Sequence, residues 1–266
     1  MGLTQPRFTD LDVVHINTEA ALRSGRPVSA AGEGGSPVVI FMDGQAPDVA
    51  DLVRQLDEGE PCSGCTPHAL TADERALVSA RISAAVDMID AFHAGYGVVV
   101  HDIITAVVVT CARQAVSAGA PHGFGTVFVN PGPGWRVLHY AEALLHESVH
   151  KAQYLDQRLT PWCSRPDRQL PFLLQAACVG VAIVDLRWWA GERQASVQIC
   201  EGLVEALRDL QLHEDQLSRR GREVLHDLAA SVSASPALVA TCVGSRREPC
   251  WGRSSSQSER HDVGYR

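Results

Sequence analysis

Two histidines and a glutamate in the sequence have the spacing of a metal-binding motif. His146, Glu147 and His150 read HESVH within a segment whose apolar pattern predicts a helix. Residues four apart in a helix lie on one face, so both imidazoles can bind one divalent ion while the carboxylate faces the same cleft. Residues 143–145 and Val149 are apolar and would keep water away from the ion. We expect a metal site here; two surface histidines on an amphipathic helix are the alternative.

The motif does not indicate where a third ligand comes from. A metzincin would have glycine and histidine at the positions of Gln153 and Asp156, and Asp156 points away from the ion if the helix continues. A thermolysin-like enzyme would use a later glutamate, but residues 165–175 contain none. Glu201 and Glu205, on a later predicted helix, remain possible ligands.

Three further histidines could lie near the site. His139 is on the same helical stripe as His146, but two turns separate them by roughly 10.5 Å, so we expect it to line the cleft or the core. His213 and His226 are the nearest later imidazoles, and their positions are more typical of exposed or core-edge helix residues than of ligands.

The elements that precede the motif are a mixture of strands and one long helix. A strand is predicted at residues 38–42, among loops rich in glycine and proline. Thr71 and Glu74 form a capping-box pattern that begins a helix, and apolar residues at helical spacing, Leu77, Ile82, Val86 and Ile89, continue it to the glycines at 95 and 97. Two β-rich runs follow, at residues 97–111 and 126–130.

After residue 137 the pattern becomes helical. Four helices are predicted within residues 137–155, 170–191, 191–212 and 217–232. We therefore predict an α+β fold, with a small N-terminal β-sheet packed on a zincin-like HExxH helix and a helical C-terminal half. The predicted divisions are a loop-rich segment at 1–70, a metal-binding HExxH domain at 71–243 and a flexible tail at 244–266.

Composition and charge exclude several classes of protein. The 266 residues carry a formal net charge of −8, which argues against a nucleic-acid partner. The first twenty residues lack a signal-peptide pattern, and the apolar runs at 98–111 and 173–184 are short for a bilayer, so we expect a cytoplasmic protein without a membrane partner. The eight cysteines are expected to be thiols, including a lone CxxC at Cys62 and Cys65 of undetermined role. No pattern indicates an oligomeric state.

Residues 126–228 resemble a known family, the HExxH-motif proteins of peptide-modifying gene clusters. The resemblance lies in four segments: TVFVN, AEALLHESVH, TPWCSRPDRQLPFLLQAACVGVAI and LSRRGREVL, the last being similar to that family's L-T-x-x-G-R helix start. Members are regarded as iron(II) and 2-oxoglutarate-dependent dioxygenases that act as β-hydroxylases in natural-product biosynthesis. The resemblance thus implies hydroxylation of an amino-acid residue in a peptide or carrier-bound substrate.

The resemblance also implies roles for particular residues. Arg165 and Arg168, with Arg168 preferred, would bind the distal carboxylate of 2-oxoglutarate with the two-pronged geometry of a guanidinium. The family has a further histidine seven residues after its last arginine, and here that position is Gln175. Its amide oxygen could be a third metal ligand, although an imidazole would bind more tightly.

Two other functions fit the same residues. A zinc-dependent, peptidase-like hydrolase would use Glu147 as the general base for a metal-bound water. A catalytically inactive relative would keep the helix and bind peptides without metal, which the glutamine at position 175 keeps open. The arginine at 168, together with the missing downstream glutamate, favours the oxygenase over the protease.

Overall fold

The fold is taken from a computed structural model of the chain. It describes residues 37–41, 70–109, 117–119, 125–132, 134–164 and 169–237. Arg165 and Arg168, the Cys62 and Cys65 pair, and the predicted tail 244–266 lie outside these residues. Within them the cysteines are thiols, as predicted, at Cys163, Cys178 and Cys200.

Along the described chain, all four strands precede the last four α-helices, and two α-helices lie between the first two strands. The order is β1 (Val38–Phe41), α1 (Ala72–Phe92), α2 (Ala94–Ile103), β2 (Ala106–Val109), β3 (Ser117–Gly119), β4 (Thr126–Val129), α3 (Val137–Leu159), α4 (Gln169–Trp189), α5 (Arg193–Leu212) and α6 (Arg219–Ala234). A short 3₁₀ turn, Glu214–Gln216, lies between α5 and α6. The predicted α+β class and the four C-terminal helices are confirmed.

The four strands form one mixed sheet in the order β1-β2-β4-β3. β1, β2 and β4 are parallel, whereas β3 is antiparallel to β4. Val107 and Val127, paired in the centre of the sheet, are fully buried. Parallel strands that are covered on both faces consist of nearly continuous apolar residues, which explains the runs AVVV and TVFV.

The first β-rich run is only partly a strand. Residues 97–103, predicted as β, belong to α2, and the strand begins at Ala106. α2 packs against both α1 and α3 and buries Gly97, Val100 and Ile103, which recur every three residues. A short apolar run fits a buried helix as well as a strand, so packing between helices decided the outcome here.

The predicted capping box at the start of α1 is confirmed. The Thr71 hydroxyl accepts from the Glu74 backbone N–H at 3.3 Å, and the Glu74 carboxylate accepts from the Thr71 N–H at 2.8 Å. Ile82, Val86 and Ile89 lie on the buried face, whereas Leu77 is half exposed. α1 ends at Phe92, three residues before the first of the two glycines, because α2 begins at once in a new direction.

Helix α4 lies between two hydrophobic clusters. Ala182 and Leu186 belong to a cluster with the sheet, α1, α2 and α3, while Leu174 and Val184 belong to one with α5 and α6. This burial on two sides explains the composition of α4, whose mean hydropathy reaches 1.7 over eighteen residues. Its 21 residues are long and apolar enough to cross a membrane by length and composition, so the apolar segment is longer than predicted.

The LSRRGR segment begins α6 and fastens it to the segment after α3. Ser218 caps the helix by accepting from the Gly221 N–H at 3.1 Å, and its own N–H donates to the Trp162 carbonyl at 2.8 Å. The Ser164 N–H donates to the Gln216 carbonyl at 3.0 Å. Gly221 packs so closely on the Trp162 carbonyl that a Cβ atom there would overlap it. The serine and the glycine of this motif therefore have structural roles.

An ion pair completes the attachment of α6 to α3. The Arg220 guanidinium binds Asp156 through two nitrogens, at 3.0 and 3.1 Å, and the Trp162 indole N–H donates to the same carboxylate at 2.6 Å. The Asp156 and Arg220 side chains are 14% and 22% exposed. A two-pronged, largely buried pair of this kind fixes the relative position of two helices.

Gly221→Ala should destabilise the protein by about 3 kcal/mol, because the added methyl group must displace a backbone carbonyl. Gly202→Ala is the matched control, because Gly202 is exposed in the middle of α5 with no atoms near its Cβ position. The higher helix propensity of alanine should raise the free energy of unfolding of this variant by at most about 1 kcal/mol. Urea unfolding followed by circular dichroism measures both. Equal stability of the two variants would contradict the close packing of α6 on Trp162.

Candidate metal centre

His146 and His150 lie together in the middle of α3, as the motif predicts. Their rings meet edge to face, with centroids 4.6 Å apart and an angle of 68° between the planes. Two imidazoles that bind one ion through nitrogens about 2.1 Å away have ring centres roughly 5.3 Å apart at a tetrahedral angle and roughly 4.6 Å apart at a right angle, as in octahedral coordination. The separation of the two rings therefore fits a shared ion.

The protonation of His150 also fits a ligand. Burial, together with the charge of His146, lowers the pKa of His150 to about 4. The imidazole is therefore neutral at pH 7 and keeps a nitrogen lone pair for a metal.

A cavity of about 420 Å³ opens beside His146, between α3 and α4. It is lined by aromatic and apolar side chains together with one pair of opposite charges, and small-ligand sites commonly combine such a lining with a few polar groups. The lining residues are Trp135, His139, Glu142, Ala143, His146, Ile183 and Arg187. The expectation that His139 lines the cleft is thus confirmed.

His139 is held in place by its own helix start. Its Nδ1 accepts from the Arg136 backbone N–H at 3.0 Å, and its ring stacks on Trp135 with centroids 6.1 Å apart. Because Nδ1 accepts this bond, the proton of neutral His139 is on Nε2. His139 thus adds a donor to an aromatic wall of the cavity.

Glu142 and Arg187 form a two-pronged ion pair across the same cavity. Arg187 Nε and Nη2 donate to the two carboxylate oxygens of Glu142 at 2.5 and 2.8 Å. Their side chains are 14% and 27% exposed, respectively. The sequence analysis missed both residues; the available signal was the position of Glu142, four residues before His146 on the same face of the helix.

Glu147 is more deeply buried than the two histidines. It is 6% exposed, lies one turn from the buried Lys151 and, like His150, is not among the residues that line the cavity. Burial lowers the pKa of Lys151 to about 8, and the Glu147 carboxylate opposes this shift. The carboxylate therefore stabilises a buried ammonium group on the same helix.

Within the described ranges, no third histidine, cysteine, aspartate or glutamate joins His146 and His150 in a metal-binding group. Asp156, which stands where a metzincin ligand would, is paired with Arg220 instead. The helix continues past Gln153, so the carboxylate lies away from the histidines, as expected from the helical geometry.

The later candidate ligands are on the surface of the C-terminal helices. His213 accepts from the Gln216 side-chain amide, and His226, 70% exposed, bonds to Glu214. Glu201 and Glu205 are exposed on α5. The structure does not bring any of these four candidates to the histidine pair.

Gln175 is on α4, at the far end of the contact between α3 and α4. Its backbone carbonyl accepts from the Gln153 side-chain amide at 3.4 Å. Gln175 is eight residues before Ile183, which lines the cavity with His146. Gln175 and Ile183 are therefore about 12 Å apart along the axis of α4. Its role as a third ligand stays a prediction, as do the roles of Arg165 and Arg168.

Comparison with known proteins adds no assignment. No protein-family model matches the chain, and no curated protein is significantly similar to it.

Replacing either His146 or His150 by alanine should abolish bound metal while α3 stays folded, because the site is built on an already packed helix. Affinity should fall by more than the about 100-fold caused by losing a hydrogen-bond partner of a ligand. His139→Ala is the control, since it removes an imidazole from the same face two turns away. Metal analysis of protein purified without chelator, with circular dichroism, measures the effect. Unchanged metal content in both ligand variants would rule out a metal site.

Proposed function

We propose that the protein is an iron(II) and 2-oxoglutarate-dependent oxygenase that hydroxylates the β-carbon of an amino-acid residue in a peptide or carrier-bound substrate. The observation that carries this proposal is the closely spaced pair of His146 and His150 on α3, of which His150 is neutral at pH 7 and His146 lines the cavity. The motif resemblance of residues 126–228 supports it.

The packing of α3 fits this proposal. α3 contacts β3 and β4 on the side of the sheet and α4 on the side of the cavity. We propose that this arrangement is zincin-like: the helix that carries the two histidines is supported by a sheet and covered by a second helix. In it the ligands sit on a rigid element while the substrate enters between α3 and α4.

Each residue has a definite part in the proposed reaction. His146 and His150 would hold the metal and leave further coordination positions open, with Gln175 as the proposed third ligand. Arg168, or else Arg165, would bind the distal carboxylate of 2-oxoglutarate. When bound, iron(II) with 2-oxoglutarate and dioxygen supplies the oxidant for an unactivated C–H bond.

The position of Glu147 favours the oxygenase over the zinc hydrolase. A general base must reach the metal-bound water and its substrate within hydrogen-bonding distance. Glu147 is instead buried one turn from Lys151, and its carboxylate favours the charged form of that side chain. We therefore assign it an orienting role within α3.

Anaerobic addition of iron(II) and then 2-oxoglutarate to the full chain should produce the visible charge-transfer band of a chelated keto acid. Arg168→Ala should weaken 2-oxoglutarate binding at least about thirtyfold without loss of iron, since a lost two-pronged charge pair is worth roughly 2 to 5 kcal/mol. Arg165→Ala is the matched variant. If Arg165→Ala alone weakens binding, the roles of the two arginines are exchanged.

The same experiment separates the competing functions. Tight zinc binding without a band on adding iron(II) and 2-oxoglutarate would favour the hydrolase, and Glu147→Gln should then abolish peptide hydrolysis. Absence of any metal would favour the catalytically inactive peptide-binding relative.

A further inference from the structure

The ion pair between Glu142 and Arg187 lies in the wall of the His146 cavity. The Arg187 guanidinium presents its two-pronged edge to Glu142, and both carboxylate oxygens are bound. Both side chains line the cavity, which is open to solvent on one side. A carboxylate binding position therefore exists beside His146, and the protein fills it with its own side chain.

The distance along α3 relates this position to the candidate metal. Glu142 and His146 are four residues apart, so their backbones are separated by about 6 Å along the helix axis and both side chains line the cavity. A ligand whose carboxylate takes the place of Glu142 would therefore lie alongside His146. An acidic side chain or a short dicarboxylate is small enough for this position.

The rest of the lining suits such a ligand. Ala143 and Ile183 form an apolar part, and the stacked rings of Trp135 and His139 form an aromatic wall with an N–H donor. A short chain with one charged end fits these surroundings better than a large apolar group.

We propose that Arg187 binds a carboxylate of the reacting ligand and that Glu142 occupies this position in the ligand-free protein. The exchange replaces one carboxylate by another, so the guanidinium keeps its charge-assisted bonds throughout. The inference rests on the proposed function in one respect, that His146 marks the reacting centre.

A purely structural ion pair makes the opposite prediction for one variant. If Glu142 competes with the ligand, Glu142→Gln weakens the competitor and tightens ligand binding, whereas Arg187→Met removes the binding group. If the pair only joins α3 to α4, both variants lower stability and neither changes binding in a directed way. The sign of the Glu142→Gln effect therefore separates the two roles.

The test is calorimetric titration of the full chain, purified without chelator and kept anaerobic. The probes are glutarate, which lacks the keto acid, and two short peptides that differ by glutamate against glutamine. For the responding carboxylate, Glu142→Gln should tighten binding about tenfold, and Arg187→Met should weaken it at least about thirtyfold. Arg187→Lys, which keeps the charge but loses the two-pronged edge, should also weaken it.

Glu205→Gln is the matched control for charge. Glu205 is exposed on α5 and is not part of the cavity lining. The replacement changes the net charge as Glu142→Gln does while the Arg187 pair stays intact. Its binding of the probes should equal that of the parent, and thermal unfolding checks that all variants are folded.

The outcomes are distinct. A response with glutarate assigns the position to a dicarboxylate co-substrate, and Arg187 then takes the role proposed for Arg168. A response with the glutamate peptide alone assigns the position to an acidic residue of the substrate. The inference is overturned if Glu142→Gln and Glu205→Gln both tighten binding. It is also overturned if Glu142→Gln and Arg187→Met do not change binding in opposite directions. If the inference fails but the iron(II)–2-oxoglutarate band is present, the proposed function still holds. If Arg187 binds a carboxylate but the protein binds no iron, the proposed function fails and the carboxylate site remains.

Discussion

The arrangement of the site depends on one interaction, the two-pronged ion pair that joins Glu142 on α3 to Arg187 on α4. Burying either charged group without its partner would cost more than most single contacts contribute. Further along the two helices, the Gln153 side-chain amide donates to the Gln175 carbonyl of α4. These two contacts join α4 to α3 and so determine which residues of α4 face His146.

Local sequence signals predicted much of the fold. The capping box of α1 and the four C-terminal helices follow from patterns that span a few turns. The prediction was wrong for residues 97–103, because a segment as short as GVVVHDI fits a strand as well as a helix packed against two others. That outcome depends on α1 and α3, which are distant in sequence.

In the site too, features within one helix were predictable from the sequence, whereas contacts between distant residues were not. The spacing of His146 and His150 was sufficient because one helix turn brings them together. The pairing of Glu142 with Arg187 joins residues 45 apart in sequence, and that of Asp156 with Arg220 joins residues 64 apart. Such pairs depend on how helices are placed side by side, which no motif within one helix specifies. The LSRRGR segment likewise becomes intelligible only once Trp162 is seen against its glycine.

The position of α4 between two hydrophobic clusters has a consequence for how the protein unfolds. Both clusters use the same helix as a wall, through Leu186 on one side and Leu174 on the other. Melting either half exposes an apolar helix face that the other half cannot cover. The sheet region and the C-terminal helices should therefore behave as one cooperative unit, with amide hydrogens of α4 among the slowest to exchange.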